Sequence, residues 1–258
     1  MSQLKYISEC EFIKKTMRDA YERFLDKKDF SRMYKKAFDI VTTSDYDIEK
    51  YIIDRIKKEY AGDRILSEET NSGTAVEGRT WTVDPIDGTY NFANGIPLFG
   101  IQCALFDSGQ PVTSAIYLPC RDEMYYAVIG GGAYLNDSKI MVRDTELDKC
   151  MVSFGDFPHF CPEDALLEKK IMCGISDKIA RVRMFGAASV DFAFLASGKT
   201  NGIVIFTRNK WDIAPGILLC AEAGAVIAGE HEKYSYDSKI VIAASQQNIV
   251  DMIATFLR

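Results

Sequence analysis

Residues Trp81–Phe92 read Trp-Thr-Val-Asp-Pro-Ile-Asp-Gly-Thr-Tyr-Asn-Phe, and this stretch decides how the rest of the chain is interpreted. Trp81–Val83 combines an aromatic residue with β-branched residues, a composition that favours a β-strand. Pro85 has no N–H to donate to a sheet and biases Asp84 towards extended geometry, so we expect the strand to end here. Tyr90–Ala93 then predicts the opening of a short helix. The stretch therefore predicts a strand that leads into a helix N-terminus.

Two carboxylates, Asp84 and Asp87, lie at this predicted strand-to-helix junction. Neighbouring aspartates repel each other, and they gain by sharing a hard cation such as Mg²⁺. Asp87, Gly88 and Thr89 have turn and N-cap chemistry, and Gly88 lets a ligand approach the backbone closely. Free N–H groups at a helix start suit a phosphate. A predicted anion-binding site next to a predicted cation-binding site indicates metal-assisted chemistry on a phosphate ester.

Trp81–Phe92 resembles the signature of the inositol monophosphatase family, whose members are Mg²⁺-dependent, lithium-sensitive phosphatases. Three other segments agree with that family in order and spacing: Asp39–Asp45 upstream, Ile65–Glu69 before the signature, and Lys210–Pro215 far downstream. The resemblance therefore spans nearly the whole chain. A lone Asp-Pro or Asp-Gly carries no information, whereas the long signature with its three partners is highly specific.

Composition and charge are those of an ordinary globular protein. The chain has 258 residues, 47% hydrophobic and 26% charged, which is enough for one large domain or two fused halves. Its net charge of −6 argues against nucleic acid as the main partner, because no overall basic surplus can neutralise a phosphate backbone. A bound metal inverts the field locally, so this charge is compatible with a phosphorylated small molecule as the partner.

The cysteine and hydropathy patterns predict the cellular location of the protein, and the histidine count excludes one kind of metal site. The seven cysteines form no Cys-x-x-Cys pair, and an odd number in mostly apolar or helical surroundings predicts a reduced, cytoplasmic protein. The two histidines, His159 and His231, are too few for a His-rich zinc site. No signal peptide is visible and no stretch approaches the roughly 20 apolar residues of a membrane span, so we expect no membrane contact.

The order of the predicted elements indicates a layered α/β protein. We expect helices at 3–28 and from Ser44 or Asp45 to Tyr60, followed by a mainly antiparallel sheet, within residues 1–145. Residues 35–39 read as a polar connection. Within 146–258 strands alternate with helices, the strands at 151–154, 181–184, 202–206, 225–228 and 239–243 and the helices at 163–174, 188–197, 212–224 and 246–257. The family resemblance implies an α-β-α-β-α sandwich with the active site between the two halves, and usually a homodimer.

The resemblance also implies a set of metal ligands. It makes Glu68 a ligand of the metal that activates water, Asp84 a ligand shared by two metals, and Asp87 a ligand of the second metal. Asp212 would be the remaining ligand of the second metal, and the backbone carbonyl of Ile86 would complete the shell of the first. Each acid also has a simpler interpretation, as part of a solvated turn or as a helix cap. An all-oxygen set is typical of Mg²⁺ or Mn²⁺.

The same resemblance implies where phosphate and water bind. The residues expected to contact the phosphate are Asp87, Gly88, Thr89 and Asp212, with the backbone N–H groups of the middle two holding phosphoryl oxygens. The Thr89 hydroxyl, with Glu68, would orient the attacking water. Asp45, by way of a water, and Glu69 would approach a third, weaker metal, so that two or three Mg²⁺ ions are expected. Thr89 and Asp45 can instead be plain helix caps.

Substrate recognition is less visible in the sequence. The segment Gly186-Ala187-Ala188 is similar to a family segment whose backbone lines the alcohol pocket, although it also fits a plain helix N-terminus. In inositol-hydrolysing members an acid upstream of Trp-Asp contacts inositol hydroxyls, and Ile205 occupies that position here. Arg208 and Lys210 either lie in a solvated loop or face the cleft. If they face the cleft, they favour a second anionic group on the substrate, as in a bisphosphate or a nucleotide.

The leading hypothesis is therefore a Mg²⁺-dependent phosphomonoesterase that hydrolyses a small phosphorylated alcohol with a metal-activated water. Inositol monophosphate is one candidate substrate, and related sugar or nucleotide phosphates are others. The main alternative is a regulatory interaction protein that retains the fold, because some relatives with this signature bind transcription machinery. A phosphotransferase is disfavoured, since neither a Walker lysine loop nor a kinase glycine-rich loop is present.

Overall fold

The computed structural model describes residues 5–24, 30–159, 161–231 and 234–257. The α-helices in these ranges are α1 (Ile7–Phe24), α2 (Thr43–Glu59), α3 (Thr89–Ala93), α4 (Pro162–Ser176), α5 (Ala188–Ala196), α6 (Lys210–Glu222) and α7 (Gln247–Ala254). The first helix thus begins later than predicted, and the predicted helical residues 3–4 and 25–28 lie outside the described ranges. Across those ranges, no helix combines the length and the apolar character needed to cross a membrane.

The strands belong to two sheets and one hairpin. In chain order they are β1 (Arg32–Lys36), β2 (Asp39–Thr42), β3 (Arg64–Ser67), β4 (Thr80–Asp87), β5 (Gly100–Asp107), β6 (Gln110–Leu118), β7 (Glu123–Val128), β8 (Gly132–Leu135), β9 (Ser138–Ile140), β10 (Met151–Phe154), β11 (Arg181–Met184), β12 (Gly202–Phe206), β13 (Val226–Ala228) and β14 (Ile240–Ala244). Strands β1 and β2 pair only with each other, as an antiparallel hairpin.

The larger sheet has seven strands in the order β3-β4-β5-β6-β7-β8-β9, and only the β3–β4 pair is parallel. The smaller sheet has five strands in the order β11-β10-β12-β14-β13. In the smaller sheet β10 runs parallel to β11 and β12, while β14 runs antiparallel to β12 and β13. The mainly antiparallel first sheet is therefore as the sequence predicted.

Hydrophobic cores lie between the helical layers and the sheets, where the two pack against each other. Helices α1 and α2 cover one face of the larger sheet, α5 and α6 lie between the two sheets, and α4 and α7 cover the outer face of the smaller sheet. Helices α5 and α6 are buried along nearly their whole length because they have a sheet on both sides. The prediction of an α-β-α-β-α sandwich is confirmed.

The structure corrects two local predictions near the site. The strand does not end at Asp84 and Pro85, because β4 continues to Asp87 with an irregularity in its pairing to β5. The parallel partner β3 pairs only as far as Val83, so Pro85 has no hydrogen bond to lose on that side. The polar segment 35–39 is part of the β1–β2 hairpin and not a simple connection. Every residue of β1 is exposed, so its sequence lacks the alternation of apolar and polar residues that predicts a half-buried strand.

Helix α6 packs so closely on α5 that glycine is required at the contact. A Cβ at Gly216 would overlap the ring of Phe192, whose side chain is fully buried. Helix α6 also carries Asp212 in its first turn. The spacing between the two central helices therefore helps to set where Asp212 meets the larger sheet.

We expect Gly216→Ala to lower the free energy of unfolding by about 1–3 kcal/mol, because over-packing forces α5 and α6 apart. Urea denaturation measures this change. Gly73→Ala is the matched control, since a Cβ added there would have no heavy atom within 4 Å. A Gly216→Ala protein that is as stable as the control would contradict the close-packing argument.

Candidate active site

A cavity of about 750 Å³ is lined by residues from both sheets, from α3 and α6, and from the β1–β2 hairpin. Its acidic lining residues are Asp39, Glu68, Asp84, Asp87, Asp156 and Asp212. Among the lining residues that the structure describes there is neither a lysine nor an arginine. These carboxylates would repel a phosphate dianion, so an anionic substrate requires bound cations.

Three of these acids converge. Glu68, Asp84 and Asp212 each place a carboxylate oxygen within 4.8 Å of the other two. Glu68 follows β3, Asp84 lies in β4, and Asp212 lies in the first turn of α6. The N–H of Glu68 donates to the carbonyl of Val83 at 3.2 Å, which keeps the end of β3 beside β4. The fold thus gathers three acids that are far apart in the sequence.

The donor set fits a hard divalent cation. The three side chains offer only carboxylate oxygens, which are the ligands that Mg²⁺ and Mn²⁺ prefer in proteins. Oδ1 of Asp84 is buried and has no hydrogen-bond partner among the described residues. A buried carboxylate oxygen without a donor is costly, and a bound cation would satisfy it.

Burial and mutual repulsion raise the pKa values of this group. Burial, opposed in part by the charge of Lys35, raises the pKa of Glu68 to about 7. Burial and then the charge of Glu68 raise the pKa values of Asp84 and Asp212 well above their usual range. The metal-free protein therefore retains protons on these carboxyls near neutral pH, and cation binding would release them.

Gln102, which sequence reasoning did not single out, connects two of the three acidic residues. It is fully buried in β5 and lies opposite Asp84 in the β4–β5 pairing. Its Nε2 donates to Oδ2 of Asp84 at 3.3 Å and to the backbone carbonyl of Asp212 at 3.1 Å. A polar residue inside an otherwise apolar strand was the sequence signal that could have revealed it.

Asp87 lies beside the converging group but is not one of its three members. Its Oδ2 accepts a hydrogen bond from the backbone N–H of Ser189 at 2.6 Å and another from the Ser189 hydroxyl. Burial raises the pKa of Asp87 to about 6, and the bonds from Ser189 oppose that rise. Because Ser189 lies in the first turn of α5, Asp87 ties the larger sheet to the helix layer between the sheets.

The turn after β4 contains glycine where the chain approaches another segment closely. Gly88 has φ = +85°, and a Cβ there would lie 2.8 Å from the Cβ of Ala187. Gly186 has φ = +73° and lies next to Asn91, whose side-chain amide donates two 2.7 Å hydrogen bonds to backbone carbonyls on different segments. Residues 88–89, which are predicted to bind phosphate, therefore pack at the cavity against residues 186–188, which are predicted to bind the alcohol.

Thr89 and Asp45 take part in hydrogen bonds at two helix starts. The Thr89 hydroxyl donates to the Ile86 carbonyl at 2.9 Å and to Oδ1 of Asp45 at 3.4 Å. Asp45 also accepts the N–H of Thr42 at 2.8 Å and the Thr42 hydroxyl at 2.5 Å. The prediction that Ser44 or Asp45 is the N-cap of α2 is wrong, because Thr42 is the N-cap and Asp45 bonds back to it from inside the first turn.

Lys35 brings a positive charge to the edge of the acidic group, and sequence reasoning missed it. Its Nζ lies 3.3 Å from Oε1 of Glu68 and 2.6 Å from Oε2 of Glu69. Burial lowers the pKa of Lys35, but these carboxylates outweigh burial and raise it above its usual value. Burial and then the charge of Glu68 raise the pKa of Glu69 to about 7. Glu49 of α2 accepts the N–H of Glu69 at 2.8 Å and so holds this acidic turn.

The residues considered for substrate recognition divide into two groups. Those that line the cavity are Gly186, Ala187, Ala188 and Ile205. Arg208 and Lys210 are not among the described lining residues. Arg208 is exposed, and Nζ of Lys210 lies 3.4 Å from a carboxylate oxygen of Asp237. The structure therefore does not bring these two cations to the cavity wall.

Comparison with known proteins identifies related sequences along most of the chain. The model of the inositol monophosphatase family matches residues 7–258. A fructose-1,6-bisphosphatase/inositol-1-monophosphatase of Thermotoga maritima is 32% identical over 191 residues, which cover 73% of this chain and 71% of that protein. A putative Nus factor SuhB of Neisseria meningitidis serogroup B is 33% identical over 225 residues, which cover 84% of this chain and 85% of that protein.

The fold comparison agrees with the sequence comparison. The solved structure of a Thermotoga maritima IMPase has a TM-score of 0.88 to this chain at 27% identity, and the match covers 97% of each chain. The family match and the related sequences together define a phosphoric monoester hydrolase. The chain belongs to the inositol monophosphatase family. The sequence predictions of the family and of a phosphatase are confirmed.

We expect the metal-free protein to lose roughly 1–3 kcal/mol of stability as the pH rises from about 5 to about 8. The folded state raises the pKa of Glu68 from 4.5 to about 7, so it binds protons more tightly than the unfolded chain does. The resulting stability is complete below the unfolded pKa and is lost as the pH passes through the folded one. Urea denaturation in the presence of a chelator measures this loss.

Asp84→Asn removes one repelling charge, so this variant should lose less stability over the same pH range. Asp148→Asn is the matched control, because Asp148 is exposed and does not line the cavity. A metal-free wild-type protein whose stability is level or rises between those pH values would show that burial and repulsion do not raise the pKa values of the cavity carboxyls as described.

Proposed function

We propose that this protein is a Mg²⁺-dependent phosphomonoesterase that acts on a small phosphorylated alcohol, either inositol monophosphate or a related sugar or nucleotide phosphate. The observation that carries the proposal is the cavity whose described lining includes six acids and neither lysine nor arginine. Such a cavity holds an anionic substrate only through bound cations. Membership of the family supports a phosphate ester as that substrate.

The proposed cation ligands are Glu68, Asp84 and Asp212, together with Asp87 and the Ile86 carbonyl. When bound, Mg²⁺ supplies a water of lowered pKa and positive charge for the leaving alkoxide. Mn²⁺ accepts the same oxygen ligands. Two cations are expected on this set.

Asp45 and Glu69 are the proposed contacts of a third cation. Oδ1 of Asp45 lies 3.4 Å from the Thr89 hydroxyl, and Glu69 adjoins Glu68 in the turn that Lys35 neutralises. Because Lys35 supplies one positive charge there, a third cation would bind more weakly than the first two.

The protein's own groups would orient the reaction. Glu68 and the Thr89 hydroxyl would position the attacking water, and the Ile86 carbonyl already holds that hydroxyl at 2.9 Å. The N–H groups of Gly88 and Thr89 would hold phosphoryl oxygens while negative charge shifts during in-line displacement. Neither step requires a covalent enzyme intermediate.

The substrate is proposed only as a class. The Thermotoga relative is named for both fructose 1,6-bisphosphate and inositol 1-phosphate. Ile205 lines the cavity and its side chain offers no hydrogen bond to an inositol hydroxyl. Arg208 and Lys210 lie outside the described lining, so they do not support a pocket for a second phosphate.

We also propose that the protein is a cytoplasmic homodimer and that each chain consists of two halves, residues 1–145 and 146–258. Its proposed binding partner is its substrate, a small phosphate monoester. The net charge of −6 argues against nucleic acid, and the cysteines of the described residues are all free, as expected in a reducing compartment. No membrane partner is proposed.

A regulatory interaction protein is the second candidate function, because the SuhB relative is named as a putative Nus factor. A protein partner that is retained equally by wild type and Asp84→Asn in a pull-down would support this role. Substrate turnover at ordinary enzyme rates would weaken it as the sole function.

Asp84→Asn should reduce Mg²⁺-dependent phosphate release by more than about 100-fold, because even residues that only support a metal ligand typically cost roughly 10- to 100-fold when they are replaced. The assay is phosphate release from a panel of esters, with and without lithium: inositol 1-phosphate, fructose 1,6-bisphosphate, histidinol phosphate, 3′-phosphoadenosine 5′-phosphate and NADP. Asp148→Asn serves as the control and should keep wild-type rates. Near wild-type turnover by Asp84→Asn would refute the proposed ligand set.

A further inference from the structure

Phe38 and His159 stack face to face at the mouth of the cavity. Their ring centroids lie 4.4 Å apart, and the ring planes are 16° from parallel. Both residues line the cavity, and Phe38 is 62% exposed. Phe38 also has φ = +64°, a conformation that bulky side chains rarely adopt. A strained aromatic residue that stays exposed at an active-site mouth points to a functional role.

The two rings come from different parts of the chain. Phe38 lies in the turn between β1 and β2, and His159 lies in the loop between β10 and α4. Much of the remaining wall is apolar, formed by Ile40, Phe157, Pro158, Met184, Ile205 and Phe206. Asp84, by contrast, is only 1% exposed. The cavity therefore has an acidic inner end and an aromatic outer end.

We propose that Phe38 and His159 form a subsite for a planar aromatic or heteroaromatic ring in the alcohol part of the substrate. This inference rests on the proposed phosphatase function, in which the phosphate binds with cations at the acidic end. The alcohol then extends towards the mouth, where the two rings lie. A cavity of about 750 Å³ has room for a phosphate, a sugar and one base.

The wall chemistry favours a flat ring over a polyol. A planar ring gains by offset stacking on aromatic faces, whichever base it is. Each hydroxyl of a polyol, however, loses water on entry and needs a hydrogen-bond partner in the cavity. The side chains of Ile205 and Phe206 accept no hydroxyl hydrogen, and the thioether of Met184 is only a weak acceptor. Asp39 and Asp156 do offer acceptors on the wall, and they suit the hydroxyls of a sugar that carries the ring.

Adenosine 5′-monophosphate and ribose 5-phosphate form a matched pair for testing the subsite, because they share a sugar phosphate and differ in the base. We expect the wild-type protein with Mg²⁺ to show a kcat/KM roughly 5- to 100-fold higher for the nucleotide, the range that stacking of one base supplies. Phe38→Ala should bring this ratio close to one, and Phe38→Tyr, which keeps a ring, should restore it.

Tyr34→Ala is the matched control, since Tyr34 is an exposed aromatic residue of the same hairpin and is not a lining residue. A nucleotide preference that Phe38→Ala removes and Tyr34→Ala retains supports the subsite. A wild-type ratio near one, together with Mg²⁺-dependent hydrolysis of ribose 5-phosphate, overturns the subsite while the proposed function stands.

If neither ester is hydrolysed, binding decides the subsite instead of the kinetic ratio, and the proposed function is tested separately by the ester panel that includes inositol 1-phosphate. Calorimetry with Ca²⁺ in place of Mg²⁺ compares the affinities of the same two esters for wild type and Phe38→Ala. Tighter binding of the nucleotide that is lost in the variant supports the subsite. Equal affinities overturn it and leave the stacked pair as a contact that only joins the hairpin to the β10–α4 loop.

Discussion

Repulsion among the carboxylates of Glu68, Asp84 and Asp212 is the main electrostatic constraint at the cavity. Their carboxylate oxygens lie within 4.8 Å of one another. Two ionised carboxylates at such a separation repel by roughly 3–4 kcal/mol at an effective dielectric constant of about 20. A folded protein retains such a group only when protons or cations neutralise it. Burial and then the charge of Glu68 raise the pKa values of Asp84 and Asp212, so these raised values and the cation-dependent chemistry that we propose both follow from this arrangement.

The fold maintains this arrangement by joining the two sheets around the cavity. Gln102 links the larger sheet to α6, and the hydrogen bonds from Ser189 to Asp87 link it to α5. The tight contact at Gly216 then holds α5 and α6 together. Because these bonds cross from the larger sheet to the central helices, cation binding would stabilise the junction between the layers as well as support the chemistry.

The family signature at Trp81–Phe92 predicted the fold and Asp84, and its partner segments Ile65–Glu69 and Lys210–Pro215 predicted Glu68 and Asp212. These predictions were possible because the strand, turn and helix signals are local and the combined signature is long. Lys35 was not predicted, since β1 is exposed throughout and lacks the alternation that marks a strand. Tertiary packing brings Ser189 to Asp87 and brings His159 to the cavity, and periodicity does not report such packing. The prediction that β4 ends at Pro85 was wrong because a missing N–H costs a hydrogen bond only where a partner strand lies alongside. The partner strand β3 pairs with β4 only as far as Val83.

Anomalous diffraction from crystals soaked with Mn²⁺ shows whether Glu68, Asp84 and Asp212 hold a cation, because it locates bound cations without depending on any substrate. We expect a Mn²⁺ peak roughly 2–2.5 Å from carboxylate oxygens of these three residues. Crystals in which Mn²⁺ binds only elsewhere, or in which the three carboxylates surround no anomalous peak, would contradict this expectation.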